Sequence, residues 1–571
     1  MKNFARAHAN FVDLYSDQIL HSWLDGVLQS PWVELNRPWI KIVPKNFPRT
    51  LDYPEIPLFE ICDQAAQKFK NNVSVYMIPQ NAKYTYLELK YYSDKLAAAL
   101  TNRFSIGKGK SVGIMTWNSP EYVFSLFGVL KTGASCTLIN PLVPIDDVRY
   151  IINSAEIINT LIVDETLYSA VKEIEKIENF ITIGEGEIKG ASNFWKLIEP
   201  YKPQPPSVEI DPKNDVAALI YTGGTTGKPK GVVLTHYCLL ANALQCAFSG
   251  RHPDQVRSEL GKGATMIFLP ICHIGGFVML LNALYEGSMN ILASHFELEA
   301  TCEAIEKYRV TKFPVVPTMI VYLLNFPDLP KYDFSSIEIC GSGAFSLQPE
   351  VAKKFEEMTG VKIVQGYGLT ECCAALATNP VWTPSLVKPE SVGIPIIDTD
   401  VKIVDPDTGK EMPPGEVGEA WWRGPQTMKE YWKAPEETKK ALVNGWLRSG
   451  DLAKMDESGY IYMVERLKDI IKYKGYKIFP DEIEGKLHEH PAVMECAVVG
   501  LRDPIVGETI KAFVVLKNQF HGKITEQDMV KWAKEKMGPI KYPRVVEFIE
   551  SIPKTLVGKP SRRLLREATR R

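Results

Sequence analysis

Short apolar runs separated by amphipathic stretches recur along most of this chain, and their lengths tell strands from helices. The runs at 111–116, 134–139, 160–163, 216–221 and 265–269 are short and apolar, as buried strands are. Between them, 121–131 and 350–358 read as helices. Such alternation predicts α/β wiring, with sheets covered by helices. The longest apolar run, about 274–293, contains glycines, Asn282 and Glu286, which suits a buried helix better than a membrane span. From 396 to 424 the pattern changes to strands and turns, with 400–404 and 418–423 flanking Pro413, Pro414 and Gly415, and predicts a small β subdomain. The C-terminal part, from about 467, reads as a separate α+β unit. It has a strand pair over 469–478 turning at Gly475, helices over 481–490 and 526–537, and strands over 497–500 and 512–516.

Residues 1–50 form an extension in which Phe11, Leu14, Ile19, Trp23 and Val27 fall near one face of a helix, with Trp32 and Trp39 following among prolines. Docking onto the protein's own surface is the expectation. A membrane-surface helix would carry a Lys/Arg-rich opposite face, which this one lacks, so peripheral membrane contact is the minor alternative. The organisation predicted is an extension (1–50), a large domain (51–466) and a small C-terminal domain (467–571). No low-complexity linker separates the two domains, so their junction is expected to be a tight hinge.

Composition narrows the function classes. The chain has 571 residues, too many for one ordinary core, with 45% hydrophobic and 23% charged content. Lys plus Arg (66) nearly balances Asp plus Glu (68), so no nucleic-acid surface is expected. Ten cysteines include the adjacent Cys372 and Cys373 but no pair of C-x-x-C motifs, which argues against a disulfide framework or a zinc site. A cytoplasmic protein without signal peptide, transmembrane segment or prenylation motif is expected; a homodimer stays open.

The strongest candidate chemistry lies at 221–231, Tyr-Thr-Gly-Gly-Thr-Thr-Gly-Lys-Pro-Lys-Gly, after the strand at 216–221. Gly223, Gly224, Gly227 and Gly231 let backbone N–H groups turn toward an anion; Thr222, Thr225 and Thr226 add hydroxyls, and Lys228 and Lys230 add charge. The Walker A spacing fails, because Gly223 and Gly227 are too close and Pro229 follows Lys228 where a metal-binding hydroxyl should stand. A phosphate loop of another kind is implied.

That loop resembles the ATP-phosphate loop of the acyl-adenylate-forming superfamily, which includes acyl-CoA synthetases, peptide-synthetase adenylation domains and firefly luciferase. The resemblance runs over roughly 56–571. It is carried in order by Asn140-Pro141, Leu-Pro-Ile-Cys-His at 269–273, Gly-Ser-Gly-Ala at 341–344 and Gln-Gly-Tyr-Gly-Leu-Thr-Glu at 365–371. Then follow Gly418-Glu419, Arg-Gly-Pro at 423–425, Trp-Leu-Arg-Ser-Gly-Asp at 446–451, Glu-Arg-Leu-Lys-Asp at 465–469 and Pro-Lys-Thr-Leu-Val-Gly-Lys at 553–559. One departure is Gly223, where many members carry Ser.

The resemblance implies a large helix-covered α/β domain with a β subdomain, and a small mobile α+β lid. It implies ATP, Mg2+ and coenzyme A as cofactor and co-substrates, and residue roles follow from the motifs. Lys559 is the catalytic lysine bridging the acyl carboxylate and the α-phosphate; Thr370 reaches that phosphate and Glu371 holds the metal. Gly343, Ala344, Gly366, Tyr367 and Gly368 line the adenine slot, Asp451 clamps the ribose hydroxyls and Arg466 supports it. Lys468 is the hinge. Lys472, Gly475, Tyr476 and Lys477 face the thiol channel. His236 and His273 lie near the acyl carboxylate and the pocket mouth. Lys554 and residues 562–566 are expected to be solvated.

For the acid, Gly368 stands where acetate-specific relatives place a bulky Trp, and so is expected to leave pocket space open. Phe277, Val278, Leu281, Ala344, Phe345, Cys372 and Ala374 are apolar or small, which implies a hydrophobic monocarboxylate, a medium- or long-chain fatty acid. An aryl or branched acid is the nearest rival. A luciferase-like oxygenase or a non-catalytic acyl or nucleotide sensor are further alternatives, the last disfavoured by intact Lys559, Glu371 and Asp451.

Overall fold

The structure is a computed structural model that describes residues 13–16, 30–34, 37–44, 47–155, 158–222, 228–249, 253–381, 383–474, 476–503, 506–554 and 560–569. It divides into two compact units. The first comprises the residues up to 401 with Trp422–Leu447 and Ser458–Tyr460; the second comprises Lys402–Trp421, Arg448–Glu457 and the residues from 461 on.

In the first unit an eight-stranded sheet runs in the order Glu430–Tyr431, Lys230–Thr235, Val216–Thr222, Ser135–Leu138, Ser111–Met115, Ile158–Asp164, Asn179–Ile183, Ser192–Asn193. The pairs from Val216–Thr222 outward to Ser192–Asn193 are parallel, as the near-continuous apolar runs require. Helix Pro120–Lys131 is buried all round and starts at Ser119, whose side chain accepts from the Tyr122 N–H, with Pro120 in the first turn. A second sheet takes Ala264–Ile267, Met289–Leu292, Val73–Met77 and Ala82–Thr85, and a third takes Cys340–Ser342, Ile363–Leu369, Ala374–Thr378 and Ile394–Pro395. The 274–293 run is not one helix. Helix Ile274–Tyr285 stops before Gly287, which holds φ +70°, and the chain re-enters the second sheet as Met289–Leu292.

The extension docks on this unit. Leu14 is buried and its N–H donates to Gln64 Oε1 (2.8 Å), while Tyr15 stacks on Tyr285. Phe11, Ile19, Trp23 and Val27 lie outside the described residues. Farther on, the buried Asp398 accepts from Ser30 Oγ, the Leu51 N–H (2.9 Å) and Tyr53 Oη (2.7 Å). Asp400 accepts from Arg37 Nε (3.0 Å) and Arg423 (2.8 Å), and Trp39 is buried against Gly459.

The second unit carries a five-stranded sheet built on Gly507–Leu516, which forms a long hairpin with the end strand Val493–Asp503. Val545–Phe548 pairs parallel with Gly507–Leu516, and Ile471–Tyr473 with Tyr476–Ile478 forms the far edge. Helix Pro480–His488 matches the expectation. Helix Glu526–Lys541 breaks where the sequence predicts its end, at Gly538 (φ +72°) before Pro539.

Candidate functional site

Strands Val216–Thr222 and Lys230–Thr235 form a hairpin in which Tyr221 faces Gly231 and Thr222 faces Lys230. The ends of the anion loop therefore sit side by side at one edge of the main sheet. Gly223, Gly224, Thr225, Thr226 and Gly227 lie outside the described residues. Gly231 is closely packed: a Cβ there would meet the Tyr221 ring at 3.0 Å and Trp432 at 3.3 Å, so both would have to give by a few tenths of an ångström. Lys228 lies over the Tyr150 ring (5.0 Å), and Lys230 lies over Tyr431 (5.3 Å) and pairs with Glu437. The Lys230 ammonium, with Lys440 beyond it, pulls the Glu437 carboxyl down to about 2.

Glu371 is brought to this edge by a short strand the sequence did not announce. Glu430–Tyr431 pairs antiparallel with Val232 and Val233, continuing the hairpin, and the Tyr431 hydroxyl donates to Glu371 Oε1 at 2.7 Å. Two backbone bonds brace the same segment, Met428 N–H to Glu371 O and Trp432 N–H to Gly231 O, both 2.7 Å. Burial, and then the Glu371 charge, push the Tyr431 hydroxyl far above its ordinary range, so it stays a donor. Thr370 and Glu371 sit in one 3-10 turn, Thr370–Cys372, directly after the Ile363–Leu369 strand.

The expected adenine residues converge. Strand Cys340–Ser342 lies parallel to Ile363–Leu369 with Ser342 facing Gln365, so Gly343 and Ala344 leave their strand beside Gly366 and Tyr367. Tyr367 stacks on the buried Trp422, ring centroids 5.5 Å apart. Ala344, Cys373 and Ala374 hold positive φ (73°, 52° and 90°), a concentration of backbone strain of the kind found at ligand sites.

Gly368 corrects an expectation. A Cβ on it would lie 1.3 Å from the Ala374 carbonyl oxygen and 2.4 Å from its carbon, so its glycine serves close backbone approach and not an open pocket floor. The physical reason is a bulge between Tyr367 and Gly368 that pushes this strand onto its Ala374–Thr378 partner. Asn242, a polar residue inside an apolar helix, pins that partner by exchanging two 3.0 Å bonds with the Ala375 backbone. Its position among Leu239, Leu240, Ala241, Ala243 and Leu244 was the available signal.

Phe277 is buried on helix Ile274–Tyr285, which packs on the Ala374–Thr378 strand adjoining the buried Cys372. Phe345 packs on the apolar cluster that includes Ile320, Leu347 and Phe355. His236 opens helix His236–Phe248; its Nδ1 accepts from the Leu58 N–H (3.0 Å), and burial lowers its pKa to about 4. His273 caps helix Ile274–Tyr285 by accepting from the Gly275 N–H (3.3 Å), with burial lowering it also to about 4. Both imidazoles are therefore neutral near pH 7.

In the second unit Asp451 faces Arg466 across a strand pair, and Arg466 Nε meets Asp451 Oδ1 at 3.0 Å. Gly450, at φ +69°, donates its N–H to the buried Glu419, which also gathers Trp421 Nε1 and Arg448. Lys468 is exposed, one turn beyond Arg466. Lys472, Tyr476 and Lys477 are exposed on the Ile471–Tyr473 and Tyr476–Ile478 hairpin, with Lys472 facing Lys477. Gly475 and Lys559 lie outside the described residues.

The expectation of solvated cations at 562–566 fails at Arg562. It is 7% exposed and ringed by Glu465, Asp469, Asp481 and Glu484, where helix Arg562–Ala568 packs against strand Val493–Asp503. Arg566 pairs with Asp469 (3.1 Å) and Lys554 with Glu495 (2.7 Å). Among the described residues no three His, Cys, Asp or Glu side chains gather to hold a metal, no helix is long and apolar enough to cross a membrane, and all ten cysteines are free.

Comparison with known proteins gives the family and the fold. The family model described as AMP-binding enzyme matches residues 62–432, and that of the AMP-binding enzyme C-terminal domain matches 482–559. A long-chain-fatty-acid–CoA ligase of Bacillus subtilis (strain 168) is 36% identical over 94% of this chain and 99% of its own length. The 4-coumarate–CoA ligase 1 of Narcissus pseudonarcissus is 34% identical over 90% of this chain and 93% of its own. The crystal structure of an anthranilate CoA ligase in complex with anthranoyl-AMP superimposes with a TM-score of 0.80 at 27% identity, covering 90% of this chain and 98% of that one.

Proposed function

The chain belongs to the AMP-binding enzyme family, and on that premise we propose how its own residues carry out acid–thiol ligation. The enzyme is an AMP-forming acyl-CoA synthetase. In the first half-reaction a carboxylate oxygen attacks the ATP α-phosphorus, the bond to the β-phosphate oxygen breaks, and pyrophosphate leaves. In the second, the CoA thiol attacks the acyl carbon, loses its proton, and displaces AMP.

Two anions must approach each other in the first step, so cations and oriented donors carry most of it. Thr222, Lys230 and the loop at 223–227 hold the β- and γ-phosphates. Thr370 contacts the α-phosphate, and Lys559 spans it and the acyl carboxylate as charge builds up. Tyr367, with Gly343, Ala344 and Gly366, takes the adenine, and Asp451 with Arg466 the ribose. The observation that carries the reading is the Glu430–Tyr431 strand, which joins the anion-loop hairpin to Glu371 through one hydroxyl.

Glu371 fits a magnesium ion. It is a hard oxygen donor held in place by Tyr431, and a site with few protein carboxylates suits an ion that takes phosphate oxygens and water as its other ligands. When bound, Mg2+ supplies neutralisation of the phosphate charge.

Lys468 acts as the hinge between half-reactions. Lys472, Gly475, Tyr476 and Lys477 form the surface along which pantetheine reaches the acyl-adenylate. His236 and His273, neutral and backbone-bonded, shape the substrate end without acting as bases. A long-chain fatty acid is the substrate favoured by the buried apolar Phe277, Val278 and Leu281 and by the similarity to the Bacillus subtilis ligase. A ring acid is the second reading, favoured by the similarity to the coumarate and anthranilate ligases. The chain works in the cytoplasm.

The test is a panel of acids of graded length, with coumarate and anthranilate added, supplied with ATP and CoA while AMP and thioester are followed together. Equal release of both with long-chain acids is expected. AMP without thioester would reject CoA as acceptor, and preference for the ring acids would reject the fatty acid.

A further inference from the structure

Arg562 stands three residues beyond the last residue of the 553–559 motif, in a helix whose sequence suggested a solvated surface. The structure makes it the centre of a buried charge cluster instead. Its Nη1 meets Glu465 (3.3 Å) and Asp469 (3.7 Å), its Nη2 meets Asp481 and Glu484 (2.9 Å), and its Nε donates to the Val498 carbonyl (3.2 Å).

Four carboxylates around one guanidinium leave excess negative charge, which Arg566 relieves only at Asp469. Such a cluster is a poor way to add stability, because desolvating each ion offsets the attraction it gains. Burial, and then Asp481, push the Glu465 carboxyl up to about 7. What the cluster does supply is direction. The Glu465 Oε1 atom accepts from the Arg466 N–H (2.8 Å), and the Asp469 N–H donates to the Arg466 carbonyl (3.0 Å). The two acids bonded to the Arg466 backbone, Glu465 and Asp469, therefore both meet Arg562, while Arg466 itself reaches Asp451 through Nε. The second oxygen of Glu465 is taken by the Asp481 N–H (3.0 Å), so the carboxylate has little freedom to turn.

We propose that Arg562 is a positioning residue for the nucleotide: through Glu465 and Asp469 it fixes the Arg466 backbone, and so sets the Arg466–Asp451 pair in the geometry that takes the ribose hydroxyls. This rests on the reading of Asp451 and Arg466 as the ribose clamp. A guanidinium is required because its planar fork reaches several carboxylates at once, whereas an ammonium is a point charge.

The test measures binding of AMP and of 2′,3′-dideoxy-AMP by calorimetry to the full-length protein, with no acid or CoA present. Wild type should prefer AMP. In Arg562→Lys that preference should fall by about tenfold, the size of one charge-assisted hydrogen bond lost, with dideoxy-AMP affinity changed less than about twofold. Purely structural damage would weaken both nucleotides alike, and that outcome overturns the proposal, as does a folded Arg562→Lys protein that keeps the wild-type preference. Glu465→Gln, which keeps the side-chain volume, guards against failure to fold: it should lose the same preference, and retention of it overturns the proposal. Wild type with no preference for AMP would reject the ribose clamp itself, while thioester formation from the acid panel judges the ligase activity separately.

Discussion

Replacing Gly368 by alanine is the most discriminating perturbation, because the structure and the motif comparison give opposite answers. If Gly368 were an open floor, alanine would be harmless and tryptophan would shorten the preferred acid. In the structure an added Cβ would lie 1.3 Å from the Ala374 oxygen, where contact needs more than 3.0 Å. Either strand must then move by nearly 2 Å, and neither is free to do so. Ala374 already holds φ +90°, and Ala375 is bonded twice to the buried Asn242. Overpacking of this kind costs about 1–3 kcal/mol, and collision with backbone places Gly368→Ala at the upper end. For a cooperative unit of 150–250 residues each kcal/mol lowers Tm by about 2–4 °C, and the larger first unit should respond somewhat less. Two neighbours calibrate the measurement. Gly366→Ala would bring its Cβ to 3.1 Å from the Ala377 oxygen and needs only a few tenths of an ångström of give, whereas Gly341 has nothing within 4 Å. Calorimetric Tm should therefore fall in the order Gly341→Ala, Gly366→Ala, Gly368→Ala, with adenylation lost most in the last. A Gly368→Ala protein as stable as Gly341→Ala, or a stable Gly368→Trp protein that turns to short acids, would refute the close-approach argument.

Other perturbations separate the two half-reactions and the electrostatics. Lys559→Ala should abolish acid-dependent ATP–pyrophosphate exchange yet make thioester from preformed acyl-adenylate; equal loss of both would remove Lys559 from its role. Lys468→Pro should do the reverse, sparing exchange and impairing thioester formation, and an undiminished second step would count against a hinge there. Tyr431→Phe removes the 2.7 Å bond to Glu371 and should lower kcat/KM for ATP about 2–12-fold, the equivalent of about 0.5–1.5 kcal/mol, with Tm within a few degrees; unchanged kinetics would disconnect Tyr431 from the role proposed for Glu371. His236, held to about 4 by burial against an unfolded value near 6.5, takes up its proton in the unfolded state first. Stability from this residue is complete above about pH 7 and declines as pH falls, by about 2 kcal/mol at pH 5. Urea unfolding of His236→Gln should lack that part of the decline, and an identical pH slope would contradict it.

Much of the fold was legible because its signals are local. The strand at 216–222, the helix at 120–131 and the break at Gly538 each follow from run length, a cap or a glycine before a proline. The end of the 274–293 run was harder to see. Its stop depends on Gly287, beside which lies the ring of Phe69, far away in sequence. Motifs pointed to Glu371, Asp451 and Arg466 as candidates, but not to the residues bonded to them. Tyr431 acts through a two-residue strand too short to leave a pattern, and Arg562 belongs to a run of arginines that composition alone marks as solvated. Burial of a charge is decided by partners distant along the chain, and those of Arg562 lie as far back as Glu465.

The docking of the N-terminal strap on Asp398 and Asp400 has a consequence for how the chain is made. Ser30 and Asp398 are 368 residues apart, and Arg37 and Asp400 are 363 apart. At about 5–20 residues per second of synthesis, Ser30 waits roughly 20–70 s after leaving the ribosome before its partner exists. For that interval Trp39 has no buried site to occupy. The first segment translated is thus among the last to dock, and a chain begun at residue 51 would deprive the buried Asp398 of its Ser30 donor and the buried Asp400 of its Arg37 donor.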